Sequence, residues 1–422
     1  MPPETGPLPA IELHCALLKS CRMSTPPAGL QHIGISLGGI GSLQDGLGEF
    51  ALQMGRHVAL HAAEWRQRDA VVFHFHCREK LAGVFGPEVQ YLPVTRWQRT
   101  SHVQPLVYSL WHSLHQLNKT LPPQGVTQRL LTVHDLNYLY GRNAFSTWRH
   151  QRRTQALMRR TDHVVAISEY AATDVRQHLG WRGPLDVIYR GPRAFAGTPE
   201  PLPGWAPKPQ QPFLFHLSRM SPSKNPASLM GMAAQWPEMR FVFCGPPTHD
   251  AKLLKATTQL PNVEFHFGIS EAQKAWAFEH CVGFLFPSLT EGFGLPPVEA
   301  MQFGKPVFLS RLTSLPEVGG DAAYYFDDWA PAAMRAVVEE GMRRGAMPAR
   351  IAEVRQHALR FDWVQAADRY LARDRTAEDE RVGARRDLER TAEQIAACAT
   401  KCEAQAAGAA GAAIGAHDLE PG

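Results

Sequence analysis

Two glutamates, Glu291 and Glu299, bracket the stretch Glu291-Gly292-Phe293-Gly294-Leu295-Pro296-Pro297-Val298-Glu299-Ala300-Met301. An apolar run ending at Phe286 precedes it, and Pro296 or Pro297 suits the first turn of a helix, where a missing amide hydrogen costs nothing. The pattern predicts a strand, a glycine-bearing turn and a helix N-terminus whose free amides attract anions. Glycines at 292 and 294 let a ligand approach the backbone closely. A carboxylate accepts hydrogen bonds from two neighbouring hydroxyls at once, so a sugar or ribose diol is the natural ligand. Two glutamates eight positions apart arise by accident in most chains of this size, and a solvated helix face would use them as well. The full context of strand, Glu-Gly-Phe-Gly, Pro-Pro and Glu-Ala-Met carries the reading. Arg219 and Lys224 follow a second apolar run, at the strand end where doubly wound sheets place phosphate contacts. A forked guanidinium and a compact ammonium together offset a diphosphate without a metal.

The rest of the chain must position these groups. From about residue 31, short β-branched or aromatic runs alternate with helical stretches, the mark of parallel βα units. Strands are predicted at 32–36, 70–76, 130–133, 164–167 and 185–189. Between Pro192 and Pro212 seven prolines and two glycines exclude helix and central strand, which makes 192–212 a linker. The alternation restarts with strands at 213–216, 240–244, 263–267, 283–286 and 307–309. Two doubly wound α/β domains follow, 30–191 and 213–360, with a cleft between them as the default site. Residues 1–29 are expected to be a flexible extension, and 375–422 a flexible charged and Ala-rich tail.

The chain has 422 residues, 44% hydrophobic and 20% charged, with net charge +4. This excludes disorder as a whole, collagen and small disulfide scaffolds. No apolar run is long enough to span a membrane, and no secretory signal pattern opens the chain. Seven scattered cysteines without a CxxC pair read as reduced thiols, so a cytoplasmic chain is expected.

The motifs resemble those of the retaining glycosyltransferases of family 4, which have the GT-B fold. The resemblance covers roughly residues 30–373 and rests on Glu291 and Glu299, on Arg219 and Lys224, and on the turn Gly38-Gly39-Ile40-Gly41. It implies a hexose transferred from a nucleotide diphosphate sugar, GDP- or UDP-linked, to a glycan or lipid-linked acceptor in surface polysaccharide synthesis, with no cofactor and no metal. By the same resemblance Glu299 holds the ribose, Glu291 contacts the transferred sugar, and the backbone of Gly292, Phe293, Gly294 and Leu295 faces the donor. Arg219 and Lys224 clamp the diphosphate, His134 at a strand end faces the sugar, and Gly39 and Gly41 move near the diphosphate. Phe361-Asp362-Trp363 resembles the segment, 361–374, that crosses back to the first domain. The run Val187-Ile188-Tyr189-Arg190-Gly191-Pro192 departs from the family's Asn-Gly-Val-Asp.

From Leu136 to Thr161 no acidic residue occurs, whereas Arg142, Arg149, Arg152, Arg153, Arg159 and Arg160 do. With Trp148, Leu157 and Met158 between them, 142–160 reads either as a basic amphipathic helix for anionic lipid or as a solvated face. No RNA-binding motif accompanies it, so nucleic acid is not an expected partner. His112 and His115 are candidates for the acceptor cleft. His74 and His76 alternate on one strand face but lack a third metal ligand. A GT-B nucleotide-sugar epimerase and a non-catalytic sugar-nucleotide binding subunit are the competing readings.

Overall fold

The structure is a computed structural model that describes residues 29–43, 46–140, 144–193, 195 and 197–371. The expected N-terminal extension before Gly29, Arg142 and the tail from 375 lie outside the described residues.

A seven-stranded parallel sheet is formed by β1 (Gln31–Ser36), β2 (Val71–Cys77), β3 (Gln90–Pro93), β4 (Leu110–Ser113), β5 (Gln128–Val133), β6 (His163–Ala166) and β7 (Leu185–Val187). Its order is β3-β2-β1-β4-β5-β6-β7. A six-stranded parallel sheet follows, from β8 (Phe213–Leu217), β9 (Arg240–Gly245), β10 (Val263–Phe267), β11 (Gly283–Phe286), β12 (Val307–Ser310) and β13 (Tyr324–Phe326), in the order β10-β9-β8-β11-β12-β13. In both sheets the strand order reverses beside the first strand, which opens a crevice at the carboxyl ends. This is the predicted pair of Rossmann-like domains, and both sheets fall in one compact unit ending at Arg369.

Helices cover both sheets, so central strands such as Val71–Cys77 and Phe213–Leu217 are buried nearly throughout. The helices that position the site are α1 (Gly46–Asp69), α2 (Ala144–Met158) and α3 (Glu169–Leu179) of the first sheet. In the second they are α4 (Pro226–Ala234), α5 (His249–Thr257), α6 (Glu271–His280), α7 (Leu295–Gln302) and α8 (Leu315–Gly319). Ser168 caps α3 by accepting from the Ala171 amide at 3.0 Å, and Gly180 ends it at φ +67°. Residues 363–371 are helical. Within that helix Asp368 meets His57 of α1 at 2.9 Å, and Arg369 donates to the Val187 carbonyl at 2.9 Å.

Strands β3, β4 and β13 escape the sequence reading. None carries a β-branched residue, and β13 is three residues long.

Candidate functional site

Strand β11 delivers the chain to Ser288, and the turn that follows is fastened from below by β12 and its loop. Ser310 Oγ donates to the Ser288 carbonyl at 2.5 Å. Ser314 Oγ reaches the carbonyls of Glu291 at 3.1 Å and Phe293 at 3.0 Å. The Glu291 amide donates to Thr313 Oγ1 at 3.1 Å. Gly294 takes φ +104° directly before α7, a conformation that suits glycine, and Gly304 closes the helix at φ +71°. The amides of Phe293, Gly294 and Leu295 find no partner among the described residues and stand at the helix N-terminus. Phe293 itself is buried between Tyr189 and Phe361, which anchors the turn.

The carboxylate of Glu291 pairs with Lys224 Nζ at 2.5 Å. Lys224 ends a short 3-10 turn, Pro222–Lys224, and lies 5.8 Å from the Phe286 ring centre. Arg219 is exposed nearby on the same strand-end loop, and its carbonyl accepts from Thr248 Oγ1 at 2.8 Å.

This assembly meets the first sheet directly. A side chain at Gly292 would collide with the carbonyl oxygen of His134, and the Gly292 carbonyl accepts from Ser168 Oγ at 2.7 Å. Glu317 of α8 reaches the same first-sheet helix, accepting from the Glu169 amide at 3.0 Å. His134 is buried at the end of β5; its Nε2 donates to the Leu114 carbonyl at 2.8 Å and its ring stands edge-on to Phe50. Burial, reinforced by the Arg190 charge, holds its pKa well below 6.5, so the ring is neutral and Nδ1 carries the lone pair. Next to it, burial and the nearby Glu291 push Asp135 above the ordinary carboxylate range, against the pull of its Asn137 amide bond.

Glu299 projects from the second turn of α7. Burial pushes its pKa up to about 7, with Glu271 and Glu49 adding to the rise and Lys274 and Arg193 opposing it. Arg193, from the linker, ties these groups together by pairing with Glu49 of α1 and with Glu271 of α6, the latter at 2.7 Å.

Gly39 and Gly41 lie in the turn after β1, some strands away from His134. His115 sits beneath that turn, its Nε2 on the Leu37 carbonyl at 3.2 Å. His112, expected at the acceptor cleft, is instead fully buried in the sheet, its Nε2 on Thr132 Oγ1 at 2.8 Å. The inward position follows from the alternation of β4, which sequence reading did not detect. Asp135, Arg190, Arg193 and Thr313 were not singled out from sequence, although Asp135 stands directly beside His134 and Arg190 falls in the run that departs from the family.

Two Rossmann-like parallel sheets with a charged crevice between their carboxyl ends define the GT-B architecture, and solved structures agree. HepE of Anabaena, solved with UDP and glucose, has TM-score 0.58 at 17% identity over 81% of this chain and 98% of its own. Sucrose-phosphate synthase of Thermosynechococcus elongatus has TM-score 0.56 at 17% identity, covering 83% of this chain and 100% of its own. Residues 202–354 of this chain match the family of glycosyl transferases group 1, a span that takes in the whole of the second sheet. Its relatives include the serotype-specific mannosyltransferase WbdA of Escherichia coli, 41% identical over 91 residues, which are 21% of this chain and 11% of WbdA. The O-antigen chain mannosyltransferase RfbU of Salmonella typhimurium is 23% identical over 55% of this chain and 69% of its own length. The chain thus spans only about a tenth of the length of WbdA.

Proposed function

We propose that this chain is a retaining glycosyltransferase of family 4 that moves a hexose from a GDP- or UDP-linked donor to a glycan or lipid-linked acceptor in surface polysaccharide synthesis. The observation that carries the reading is the Lys224–Glu291 pair, held at 2.5 Å on a turn that abuts His134 across the cleft. A diphosphate entering beside Arg219 draws Lys224 off Glu291, which leaves that carboxylate free to accept a sugar hydroxyl. Glu299 accepts the ribose hydroxyls, the amides of Phe293 to Leu295 face the phosphate and sugar, and the neutral His134 faces the sugar from the other side.

In the transfer step the acceptor hydroxyl oxygen bonds to the anomeric carbon as that carbon's bond to the phosphate oxygen breaks. The electron pair stays on the leaving diphosphate, and one of its oxygens takes the hydroxyl proton. Arg219 and Lys224 stabilise the charge that accumulates there, without a metal. Retention rests on the family resemblance. The mannosyltransferase relatives support a hexose and a surface polysaccharide, and the UDP and glucose named for HepE support a nucleotide-sugar donor.

The same reading places the chain in the cytoplasm with α2 against anionic lipid of the inner membrane face. Phe145 and Trp148 are 69% and 53% exposed on that helix, beside the exposed Arg149, Arg152 and Arg153. No described helix is long and apolar enough to cross a membrane. Sedimentation with anionic but not neutral vesicles is the expected result, and equal binding to both would remove this part.

The donor claim is tested by titration calorimetry against UDP, GDP, ADP and CMP, without metal and with EDTA. Tight binding of one diphosphate, indifferent to EDTA, is expected. Binding to none would overturn the donor site.

A further inference from the structure

Asp135 follows His134 at the end of β5, half-buried, and the transfer step makes no use of it. The fold nevertheless fixes it closely. The buried side chain of Gln116, from the loop after β4, grips both residues: its Oε1 accepts from the His134 amide at 3.1 Å, and its Nε2 donates to the Asp135 carbonyl at 2.5 Å. The Asp135 carboxylate accepts through Oδ1 from the Asn137 amide at 3.0 Å, a local turn that sets the rotation of the side chain. The second carboxylate oxygen, Oδ2, is thereby held at a defined place, and it has no partner among the described residues.

That place adjoins the donor turn. A Cβ on Gly292 would lie 2.9 Å from the Asp135 Cβ, so the side chain starts directly against the residue that follows Glu291. Asp135 feels the charges of Glu291 and Lys224 from the second sheet and of Arg190, which follows β7. The Arg190 guanidinium lies 5.7 Å from the centre of the Phe293 ring, on the same donor turn. Two carboxylates from opposite sheets thus stand close to each other where the sheets touch, with a cation near each. A carboxylate withdrawn from water with one oxygen unpaired is costly until a ligand supplies the missing donor. An anionic ligand group would be repelled by the two carboxylates, whereas a neutral hydroxyl can donate to either.

We propose that Asp135 Oδ2 accepts a hydrogen bond from a hydroxyl of the transferred hexose, opposite Glu291, and is a specificity-determining residue for that sugar. This deepens the donor reading above and rests on it. An acceptor hydroxyl has the same chemistry, and the test separates the two.

Calorimetry on the full chain, wild type and Asp135→Asn, compares UDP with UDP-glucose and GDP with GDP-mannose. Asparagine keeps the shape of the side chain and, through its amide oxygen, the bond from the Asn137 amide. Removing a negative charge near the diphosphate lessens repulsion, so the free diphosphate is expected to bind the variant at least as tightly as the wild type. The sugar-linked form should lose about tenfold relative to the free diphosphate. An unchanged ratio of the two affinities, whether neither form weakens or both do, would overturn the assignment. Slower transfer with that ratio unchanged would place the hydroxyl on the acceptor instead, which also overturns it. So would a wild type that binds a diphosphate but neither sugar nucleotide. If the wild type binds none of the four, the donor reading itself fails, a result visible without the variant, and the role of Asp135 falls with it.

Discussion

Where the second sheet fills its interior with rings such as Phe213, Phe215, Phe243 and Phe284, the first seats His32, His74, His76, His102 and His112 among its aromatics. The aromatic half is joined by contacts such as Phe215 with Phe284 at 5.6 Å and Phe213 with Trp276 at 6.1 Å. The histidine half is joined by hydrogen bonds. His32 Nδ1 meets His74 Nε2 at 2.9 Å, Ser36 Oγ meets His76 Nδ1 at 2.9 Å, and His76 Nε2 meets Gln98 Oε1 at 3.0 Å. One topology thus carries two kinds of cohesion. Apolar burial is indifferent to pH, while a network of neutral imidazoles holds only as long as they stay neutral.

Acid should break the comparison open. Burial holds His74 and His76 at about 4 and His112 at about 3, whereas an unfolded histidine titrates near 6.5. The unfolded state therefore binds more protons below pH 6.5, and the stability present above 6.5 is lost as the pH falls toward 4. At pH 5 each such histidine costs about 2 kcal/mol, and the first sheet holds several, against His216 at about 4 and a His266 that burial also lowers in the second. Hydrogen exchange at pH 5 should show peptides of β1, β2 and β4 opening before those of β8, β9 and β11. Simultaneous opening would mean that the two sheets unfold as one.

The next largest effect lies where the sheets touch. Gly292→Ala pushes a methyl into the His134 carbonyl, so backbone must move where the two sheets meet; this should slow transfer about a hundredfold and lower the melting temperature as well. Turnover and thermal melts on the same preparation check this. Glu299→Ala, in the second sheet, should weaken nucleotide binding by about 1.5–3 kcal/mol. In the wild type, with Glu299 at about 7 and its ionised form needed for the ribose, nucleotide affinity should fall as pH drops through 7, roughly tenfold lower at pH 6 than at pH 8. Calorimetry across that range reads it. Ser168→Ala removes a helix cap and the bond to the Gly292 carbonyl together, so it should cost about 1 kcal/mol in a denaturant melt.

The strands and the donor turn were legible because local pattern encodes them. Val71-Val72-Phe73 can hardly be anything but a buried strand, and Glu291 to Glu299 carries its own glycines, prolines and cap. Strand β4 was hidden because Leu110-Trp111-His112-Ser113 is short and has no β-branched residue. That omission left the inward turn of His112 unforeseen. Arg193 could not be read at all as a partner of Glu49 and Glu271, since only folding brings the linker, α1 and α6 together. Asp135 gains its raised pKa from burial and from Glu291 on the other sheet, a neighbour no sequence spacing reveals.

The proposed donor site divides its labour, Lys224 for the leaving diphosphate and Glu299 for the nucleotide. Single-turnover transfer and nucleotide calorimetry on Lys224→Ala and Glu299→Ala, side by side, test it most directly. Lys224→Ala should chiefly slow transfer, and Glu299→Ala should chiefly loosen the nucleotide. Wild-type binding and turnover in both variants would contradict it.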